Sequence, residues 1–192
     1  MAKLYFRYGA MNSGKSAHLL MTAHNYQERG QTVLVLKPTV DTRELLVIGS
    51  RCGLGQIPAT PVGPEDSMTQ LAYRAIPKSR SGLDCILVDE AQFLTPEQVE
   101  QLTTLVDVDG IPVICYGLRA DFQGNLFPGS QKLMALADSI EEMKTICWCG
   151  KKAIMNARLD DQGKVVYQGE QVQVGYGYVS LCRKHWHTGE TE

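Results

Sequence analysis

The chain has 192 residues, of which 44% are hydrophobic and 21% are charged, so it can form one α/β core with a small appendage. The formal net charge is -2 and no basic stripe is visible, which disfavours a protein that binds nucleic acid through clustered Lys and Arg. No apolar run reaches the roughly 20 residues of a membrane span, and the N-terminus lacks a secretory signal, so we expect a cytoplasmic protein without membrane contact.

Strands and helices alternate over the first part of the chain. An apolar strand over residues 4–9 precedes a helix that begins near Gly14 and ends at Gly30, its predicted C-cap, and a second strand follows over 31–37. This order predicts a βαβ unit with two parallel strands. Residues 40–64 are rich in Gly, Pro and Thr and lack periodicity, which predicts a long, mobile loop with a functional role.

The alternation continues to about residue 138. We predict a helix over 66–76, a buried strand over 85–90, a helix that begins at Pro96 and a strand over 112–117. A second loop over 118–130 and a short helix ending near Asp138 complete the series. From residue 145, cysteines, glycines and short polar segments replace this pattern. We therefore predict an α/β domain with a parallel sheet over residues 1–144 and a small domain over 145–192.

The segment between the first strand and the first helix matches the pattern G-x-x-x-x-G-K-[ST], and its eight residues are Gly9, Ala10, Met11, Asn12, Ser13, Gly14, Lys15 and Ser16. Backbone N–H groups of such a P-loop point at phosphate oxygens, and the positive end of the following helix faces the same anion. Lys15 would neutralise the β- and γ-phosphates of ATP, and the Ser16 hydroxyl would bind Mg²⁺. The alternative is a glycine-rich turn before an ordinary helix. The motif predicts a RecA-like P-loop NTPase core.

Two carboxylates, Asp89 and Glu90, end the buried strand over 85–90. This is the Walker-B position, where a carboxylate at the carboxyl end of a strand faces the metal of the nucleotide. Asp89 would bind Mg²⁺, and Glu90 would take the proton from an attacking hydroxyl or water. The alternative is a pair of acidic residues at the start of a helix, where the dipole stabilises negative charge.

Two short pairs of metal-ligand residues lie about thirty residues apart near the C-terminus, Cys147 with Cys149 and Cys182 with His185. Three cysteines and one histidine are a typical ligand set of structural zinc, which would stabilise a domain too small for a core of its own. His187 is a rival to His185, and a group of free cysteines is the alternative. Two further cysteines, Cys85 and Cys115, lie in apolar strands and are predicted to be core residues.

The combined motifs resemble the zinc-containing, cytosolic (type II) thymidine kinase family, and most closely its bacterial members. The resemblance covers essentially the whole chain. The segments that carry it are GAMNSGKS at 9–16, NYQERG at 25–30, DTR at 41–43, VDEAQFL at 88–94, YGLRADFQGNLFPGS at 116–130, TICWCGKKA at 145–153 and YVSLCRKH at 178–185.

The resemblance implies transfer of the γ-phosphoryl group of ATP, with Mg²⁺, to the 5′-hydroxyl of thymidine and also of deoxyuridine. The products would be dTMP and ADP, formed in nucleotide salvage. Glu90 would be the general base, and Lys15 and Arg158 would assist catalysis. The family further implies a homotetramer and feedback inhibition by dTTP.

The family also implies a thymidine pocket lined by Met11, Phe93, Leu118, Phe122 and Phe127. A segment between the two zinc pairs, the lasso, would cover the nucleoside and bind its base through backbone groups of Val172, Val174, Gly175 and Tyr178. The lasso is about two residues shorter here than in close relatives. Without the resemblance, the phenylalanines fit an ordinary core equally well, and Arg43 and Arg158 fit solvated surface charges.

Two other classes of protein share some of these motifs. A zinc-ribbon ATPase that acts on nucleic acid would carry both the P-loop and the cysteines, but the acidic net charge disfavours it. A regulatory nucleotide-binding protein without catalysis would not need the set of Lys15, Ser16, Asp89 and Glu90. A thymidine kinase accounts for all the motifs.

Overall fold

A computed structural model describes residues 1–40, 46–50, 53–79, 82–172 and 177–192. Its strands are β1 (Leu4–Tyr8), β2 (Val33–Pro38), β3 (Val47–Gly49), β4 (Gln56–Pro58), β5 (Thr60–Val62), β6 (Cys85–Val88), β7 (Val113–Gly117), β8 (Ser139–Glu142), β9 (Thr145–Ile146), β10 (Lys152–Ala153), β11 (Met155–Leu159), β12 (Val165–Val166) and β13 (Gly177–Leu181). Its α-helices are α1 (Lys15–Glu28), α2 (Met68–Ala75), α3 (Pro96–Asp107), α4 (Pro128–Leu136) and α5 (Arg183–Thr188), and a 3-10 turn covers Ala91–Phe93.

Six strands form the main sheet in the order β5-β2-β6-β7-β1-β8, and every neighbouring pair is parallel. Because the strands are parallel, the segments after β1, β6 and β7 leave the sheet at the same edge. These segments hold the P-loop, the two carboxylates and the second predicted loop, over residues 118–130, which we call the pocket loop. The topology therefore brings three stretches of sequence together at one edge.

Alternate residues of the strands bury opposite faces of this sheet, as expected for a sheet covered on both sides. On one face, Leu36, Ile86 and Val113 pack against α2, α3 and α4 in one hydrophobic cluster. On the other face, Leu87 and Ile114 pack against α1 and the β3–β4 hairpin. Cys115 is fully buried in the first cluster and Cys85 in the second, which confirms the prediction that they are core residues.

The predicted strands and helices of the first 138 residues agree with the structure to within a few residues. Pro96 lies in the first turn of α3, and Thr95 and Gln98 form a capping box at its start. The C-cap of α1 is Arg29, one residue before the predicted Gly30, which takes the left-handed conformation that commonly follows a helix.

The prediction of one long loop over 40–64 was wrong for its described part. Two short strands pair as the antiparallel hairpin β3–β4, and β5 joins the edge of the main sheet beside β2. Strands of three residues are too short to show a period, so only pairing with partners distant in sequence defines them.

The strand β8 was missed by the sequence analysis. Its four residues, Ser139–Glu142, complete the main sheet beside β1, although two of them are acidic. An edge strand has one solvated side, so it does not need the continuous apolar run by which the other strands were predicted.

The C-terminal residues form a smaller layer on the carboxyl edge of the main sheet. The antiparallel sheet β12-β11-β13 and the hairpin β9–β10 surround a small cluster that includes Cys147, Ala157 and Leu181. The main sheet ends at Glu142 and β9 begins at Thr145. The domain boundary near residue 144 stays a prediction.

A substitution of Leu102 tests the packing between α3 and the sheet, because the Leu102 side chain is fully buried there. We expect Leu102→Ala to lower the free energy of unfolding by about 2–5 kcal/mol through lost contacts and a cavity. Val108, which is 76% exposed at the end of α3, provides the control. Val108→Ala should change stability by about 0.5 kcal/mol or less. Equal denaturant midpoints for the two variants would contradict this packing.

Candidate functional site

The P-loop lies between β1 and α1 and has the backbone conformation of an anion-binding turn. Gly14 has a φ of 80° and Asn12 a φ of 59°, both in the left-handed region. A side chain at Gly9 would collide with the carbonyl oxygen of Met143 and the side chain of Ser13, so this position requires glycine. A loop of this shape can aim successive N–H groups at an anion.

Lys15 is the first residue of α1, and its ammonium group lies inside the P-loop. It donates hydrogen bonds to the carbonyl oxygen of Ala10 at 2.9 Å and to Ser13 Oγ at 3.3 Å. Burial lowers the pKa of Lys15, and the nearby carboxylates of Glu90 and Asp89 act in the opposite direction. The lysine charge therefore lies where a phosphate group would enter the loop.

Asp89, directly after β6, meets the P-loop across the intervening strand β7. Its Oδ2 accepts a hydrogen bond from Ser16 Oγ at 3.1 Å. Burial raises the pKa of Asp89 to about 7, and the charge of Glu90 contributes to this rise. A hydroxyl and a carboxylate oxygen side by side are the oxygen ligands that Mg²⁺ prefers. The two predicted magnesium ligands are thus adjacent.

Glu90 occupies a strained backbone position beside Asp89. Its φ is 50°, and among the described residues only Asn12 and Glu90 are non-glycine residues with positive φ. Such strain costs free energy and is concentrated at functional sites. Both of these residues lie at the carboxyl edge of the sheet, Asn12 within the P-loop and Glu90 directly after Asp89.

Gln92 holds the Glu90 carboxylate and was missed by the sequence analysis. Its Nε2 donates to Glu90 Oε2 at 2.6 Å, and its Oε1 accepts the backbone N–H of Leu118 at 3.0 Å. Gln92 is 1% exposed, so this amide group has a fixed set of partners. It connects the predicted base to the first residue after β7. The only signal in the sequence was its place within VDEAQFL.

The predicted pocket aromatics lie on the segments after β6 and β7. Phe93 and Phe127 pack edge to face with ring centroids 5.6 Å apart, a favourable geometry for aromatic pairs. Leu118, Phe122 and Phe127 are buried, while Phe93 and Met11 are partly exposed. Ser130 Oγ donates to the Leu118 carbonyl at 2.6 Å, which fixes the start of the pocket loop.

Arg158 lies in β11 and is 1% exposed. The centre of its guanidinium group lies 3.7 Å from the centroid of the Phe122 ring, and its Nε donates to the Tyr178 hydroxyl at 2.8 Å. A buried cation over an aromatic face is an energetically strong contact. These contacts place Arg158 with the predicted pocket, and its catalytic role stays a prediction.

Part of the predicted lasso lies outside the described residues. Val174 and Gly175 belong to this part, and Arg43, elsewhere in the chain, also lies outside the described residues. At the ends of the lasso, Val172 is 36% exposed and Tyr178 is partly buried beside Arg158.

The pocket loop after β7 is attached to the C-terminal layer at three successive residues. Asn156 Nδ2 donates to the Ala120 carbonyl at 3.0 Å, Gln171 Nε2 to Asp121 Oδ2 at 2.9 Å, and Trp186 Nε1 to the Phe122 carbonyl at 3.0 Å. None of the three donors was predicted as a functional residue. Their contacts join positions more than thirty residues apart, and no local pattern indicates such pairs.

The four predicted metal ligands come together in the C-terminal layer. The ligand atoms of Cys147, Cys149, Cys182 and His185 all lie within 4.8 Å of one another. Cys149 Sγ lies 4.0 Å from Cys182 Sγ, and Cys147 Sγ lies 3.5 Å from His185 Nδ1. Tetrahedral zinc with Zn–S bonds of about 2.3 Å requires separations of about 3.8 Å. The cluster therefore fits a tetrahedral metal ion.

The surroundings of the cluster favour metal binding. Burial alone would raise the pKa of the Cys147 thiol, but hydrogen bonds from the backbone of Cys149 and Cys182 and from His185 lower it to about 6. The Trp148 ring stacks on His185 at 4.4 Å, and Glu190 Oε2 lies 3.5 Å from His185 Nε2. A carboxylate behind a histidine orients it as a ligand.

His187, the rival ligand, is exposed at the end of α5 and packs against the Trp186 ring. It does not belong to the group of four ligand atoms. Elsewhere, no helix within the described ranges is long and apolar enough to cross a membrane.

The structure defines an α/β protein of the P-loop class. Its parallel sheet carries the P-loop after the first strand and an acidic pair after β6, and its C-terminal layer carries a four-residue cluster that could hold a metal ion. The family model described as thymidine kinase matches residues 2–186. The chain is 50% identical to a thymidine kinase of Idiomarina loihiensis over 97% of its own length and 96% of the relative. It is 51% identical to that of Enterobacteria phage T4, with the same coverage. The chain belongs to the thymidine kinase family.

Among solved structures, the chain is similar to a Pif1 helicase from Candida albicans, with a TM-score of 0.46 and 15% sequence identity. The match covers 76% of this chain but only 36% of the helicase chain. The fold class rests on the parallel sheet and the P-loop described above.

The cluster leads to a prediction about metal content. We expect about one zinc ion per chain by elemental analysis, since four ligands complete a tetrahedral site. Cys182→Ser should remove most of this zinc, because it deletes one of the three thiolates. Cys115→Ala, which removes a buried thiol outside the cluster, should retain it. Purified wild-type protein without zinc, or full zinc content in Cys182→Ser, would contradict the assignment.

Proposed function

We propose that this protein transfers the γ-phosphoryl group of ATP to the 5′-hydroxyl of thymidine and of deoxyuridine, which yields dTMP and ADP for nucleotide salvage. One observation carries the chemical part of the proposal. Glu90 directly follows Asp89, its charge acts on Lys15 of the P-loop, and Gln92 joins it to the pocket loop. A base in this place can reach a hydroxyl that points at the donor phosphate.

The donor would bind at the carboxyl edge of the sheet, in the domain of residues 1–144. The N–H groups of residues 9–16 and the N-terminus of α1 would surround the phosphates, and Lys15 would move from its P-loop partners to the β- and γ-phosphate oxygens. Ser16 and Asp89 would hold Mg²⁺, which supplies charge neutralisation at the transferring phosphoryl group.

Glu90 would act as the general base. As the 5′-oxygen bonds to the γ-phosphorus, its proton would pass to the Glu90 carboxylate, and the bond between the γ-phosphorus and the bridging oxygen would break to release ADP. Gln92 donates to one oxygen of this carboxylate, so it fixes the side chain without removing the other oxygen as an acceptor. The strained backbone of Glu90 is consistent with a position set by function.

The acceptor would bind between the pocket loop and the C-terminal layer, formed by residues 145–192. Phe93 and Phe127 offer aromatic faces for a planar base, with Met11 and Leu118 beside them. Backbone groups of Val172, Val174, Gly175 and Tyr178 would bind the edge of the base. A pocket of apolar side chains excludes water, which would otherwise compete with the nucleoside for the phosphoryl group.

Arg158 would support this pocket by stacking on Phe122 and holding Tyr178. This placement favours a role for Arg158 in shaping the acceptor site. We also propose that Arg158 assists catalysis.

We further propose that the four-ligand cluster holds structural zinc. Four protein ligands leave no open position, so the metal would stabilise the fold of the C-terminal layer and take no part in the reaction. From the family resemblance we also propose a cytoplasmic homotetramer that is inhibited by dTTP, with neither membrane nor nucleic acid as a partner.

A phosphoryl-transfer assay tests the function directly. With MgATP as donor, we expect dTMP from thymidine and the corresponding monophosphate from deoxyuridine, with little product from deoxycytidine, because the backbone groups of the lasso would match one pyrimidine edge. Nucleoside monophosphates and ADP are separated by chromatography. Release of ADP without any nucleoside monophosphate would instead indicate an ATPase and refute the proposal.

The base assignment is tested by Glu90→Gln, which keeps the size of the side chain and removes its basicity. We expect the turnover number to fall by about 100- to 10 000-fold, the usual contribution of a general base. Binding of MgADP, measured by calorimetry, should be retained because the P-loop is unchanged. Glu97→Gln provides the control, since Glu97 is an exposed residue in the first turn of α3. Normal turnover in Glu90→Gln would rule out the assignment.

A further inference from the structure

One residue of the P-loop is held on both sides by the C-terminal layer. The backbone N–H of Met11 donates to Asn156 Oδ1 at 2.8 Å, and the Met11 carbonyl accepts a hydrogen bond from Ser180 Oγ at 2.6 Å. Both polar backbone groups of this residue are thus bound by side chains that follow it by more than 140 positions in the sequence.

Asn156 and Ser180 belong to one structural unit. They are directly opposite each other in the antiparallel pair of β11 and β13. Asn156 is 4% exposed and Ser180 is 8% exposed, so water competes little for their hydrogen bonds. Two neighbouring strands therefore present a pair of fixed side chains to Met11.

Asn156 also contacts the pocket loop. While its Oδ1 accepts from Met11, its Nδ2 donates to the Ala120 carbonyl at 3.0 Å. One amide group therefore bridges the loop proposed to hold the donor phosphates and the loop proposed to hold the acceptor. Each of the two bonds uses a different atom, so a substitution can remove one and retain the other.

The position of Met11 matters because the P-loop works through its backbone. Residues 12 and 14, which follow Met11 closely, are in the left-handed conformation that shapes the phosphate-binding turn. Fixing Met11 fixes the direction in which the chain enters the phosphate-binding turn. Preorganised N–H groups bind an anion more tightly than groups that must first be ordered.

We propose that Asn156 and Ser180 are positioning residues that fix the P-loop through Met11, and that Asn156 couples donor binding to acceptor binding. The first part concerns nucleotide binding alone. The second rests on the proposed function, because it requires that the pocket loop receives a nucleoside. A ligand that orders the Ala120 segment would then favour the ordered P-loop, and thermodynamic linkage makes the effect reciprocal.

The position of Ser180 also depends on the Cys/His cluster. Ser180 lies two residues before Cys182, one of the four ligands, and β13 leads directly into that ligand. A metal ion that holds Cys182 would fix the end of β13 and with it the Ser180 hydroxyl. Loss of zinc would therefore weaken nucleotide binding, although none of the four metal ligands belongs to the P-loop.

The first test measures MgADP affinity by calorimetry in the absence of nucleoside. Ser180→Ala should weaken binding by about three- to tenfold, the effect of losing one buried hydrogen bond, and Asn156→Ala, which loses two, should weaken it by at least as much. Ser180→Thr keeps the hydroxyl and should restore most of the affinity. Ser139→Ala makes the same chemical change in β8 and should bind as the wild type does. Unchanged MgADP affinity in Ser180→Ala and Asn156→Ala would overturn the positioning role.

The second test separates the two bonds of Asn156. Asn156→Asp keeps an oxygen for the Met11 N–H but loses the donor to Ala120. We expect thymidine to tighten MgADP binding several-fold in the wild type and in Ser139→Ala, and to have no such effect in Asn156→Asp. Equal tightening in Asn156→Asp and the wild type would overturn the coupling.

Folding and the proposed function are checked in the same experiments. Zinc content and the melting temperature identify a variant that fails to fold, and Ser180→Ala, which removes a single hydroxyl, still tests the positioning role if Asn156→Ala fails. If the wild type phosphorylates no nucleoside, the proposed function fails, while the MgADP series still decides whether Asn156 and Ser180 fix the P-loop.

Discussion

The parallel direction of the six strands is the constraint on which the site depends. Parallel strands have all their carboxyl ends at one edge, so the segments after β1, β6 and β7 must meet there. Lys15, Asp89 and Leu118 are far apart in the sequence but follow three neighbouring strands. Two hydrogen bonds join these segments at the edge, one between Ser16 and Asp89 and one between Gln92 and Leu118.

The same edge is where the C-terminal layer attaches, and it attaches through polar contacts. Asn156 and Ser180 bind Met11, and Asn156, Gln171 and Trp186 bind the three successive residues 120–122. Hydrogen bonds are directional, so this interface fixes the relative position of the two loops more closely than an apolar contact of similar size would. Arg158 adds a stacked contact on Phe122.

The residues of the site differ in how they could be found from the sequence. The P-loop, the acidic pair and the four metal ligands were predicted because each depends on a short, fixed spacing that its chemistry requires. Gln92, Asn156 and Ser180 were not, since an amide or a hydroxyl is common anywhere in a chain. Only their burial, at 8% exposure or less, and their partners distinguish them. Similarly, β8 and the hairpin β3–β4 are too short or too polar to show a period and are defined by pairing.

The sequence by itself determined the class of sheet, the P-loop, the acidic pair and the composition of the Cys/His cluster, because these depend on local pattern and short spacing. The tertiary structure decided how they are joined. It placed Gln92 between Glu90 and the pocket loop, Arg158 on Phe122, and the pair of Asn156 and Ser180 on Met11. These contacts depend on strand order and on the way two sheets meet, which bring together residues that the sequence separates by up to 169 positions.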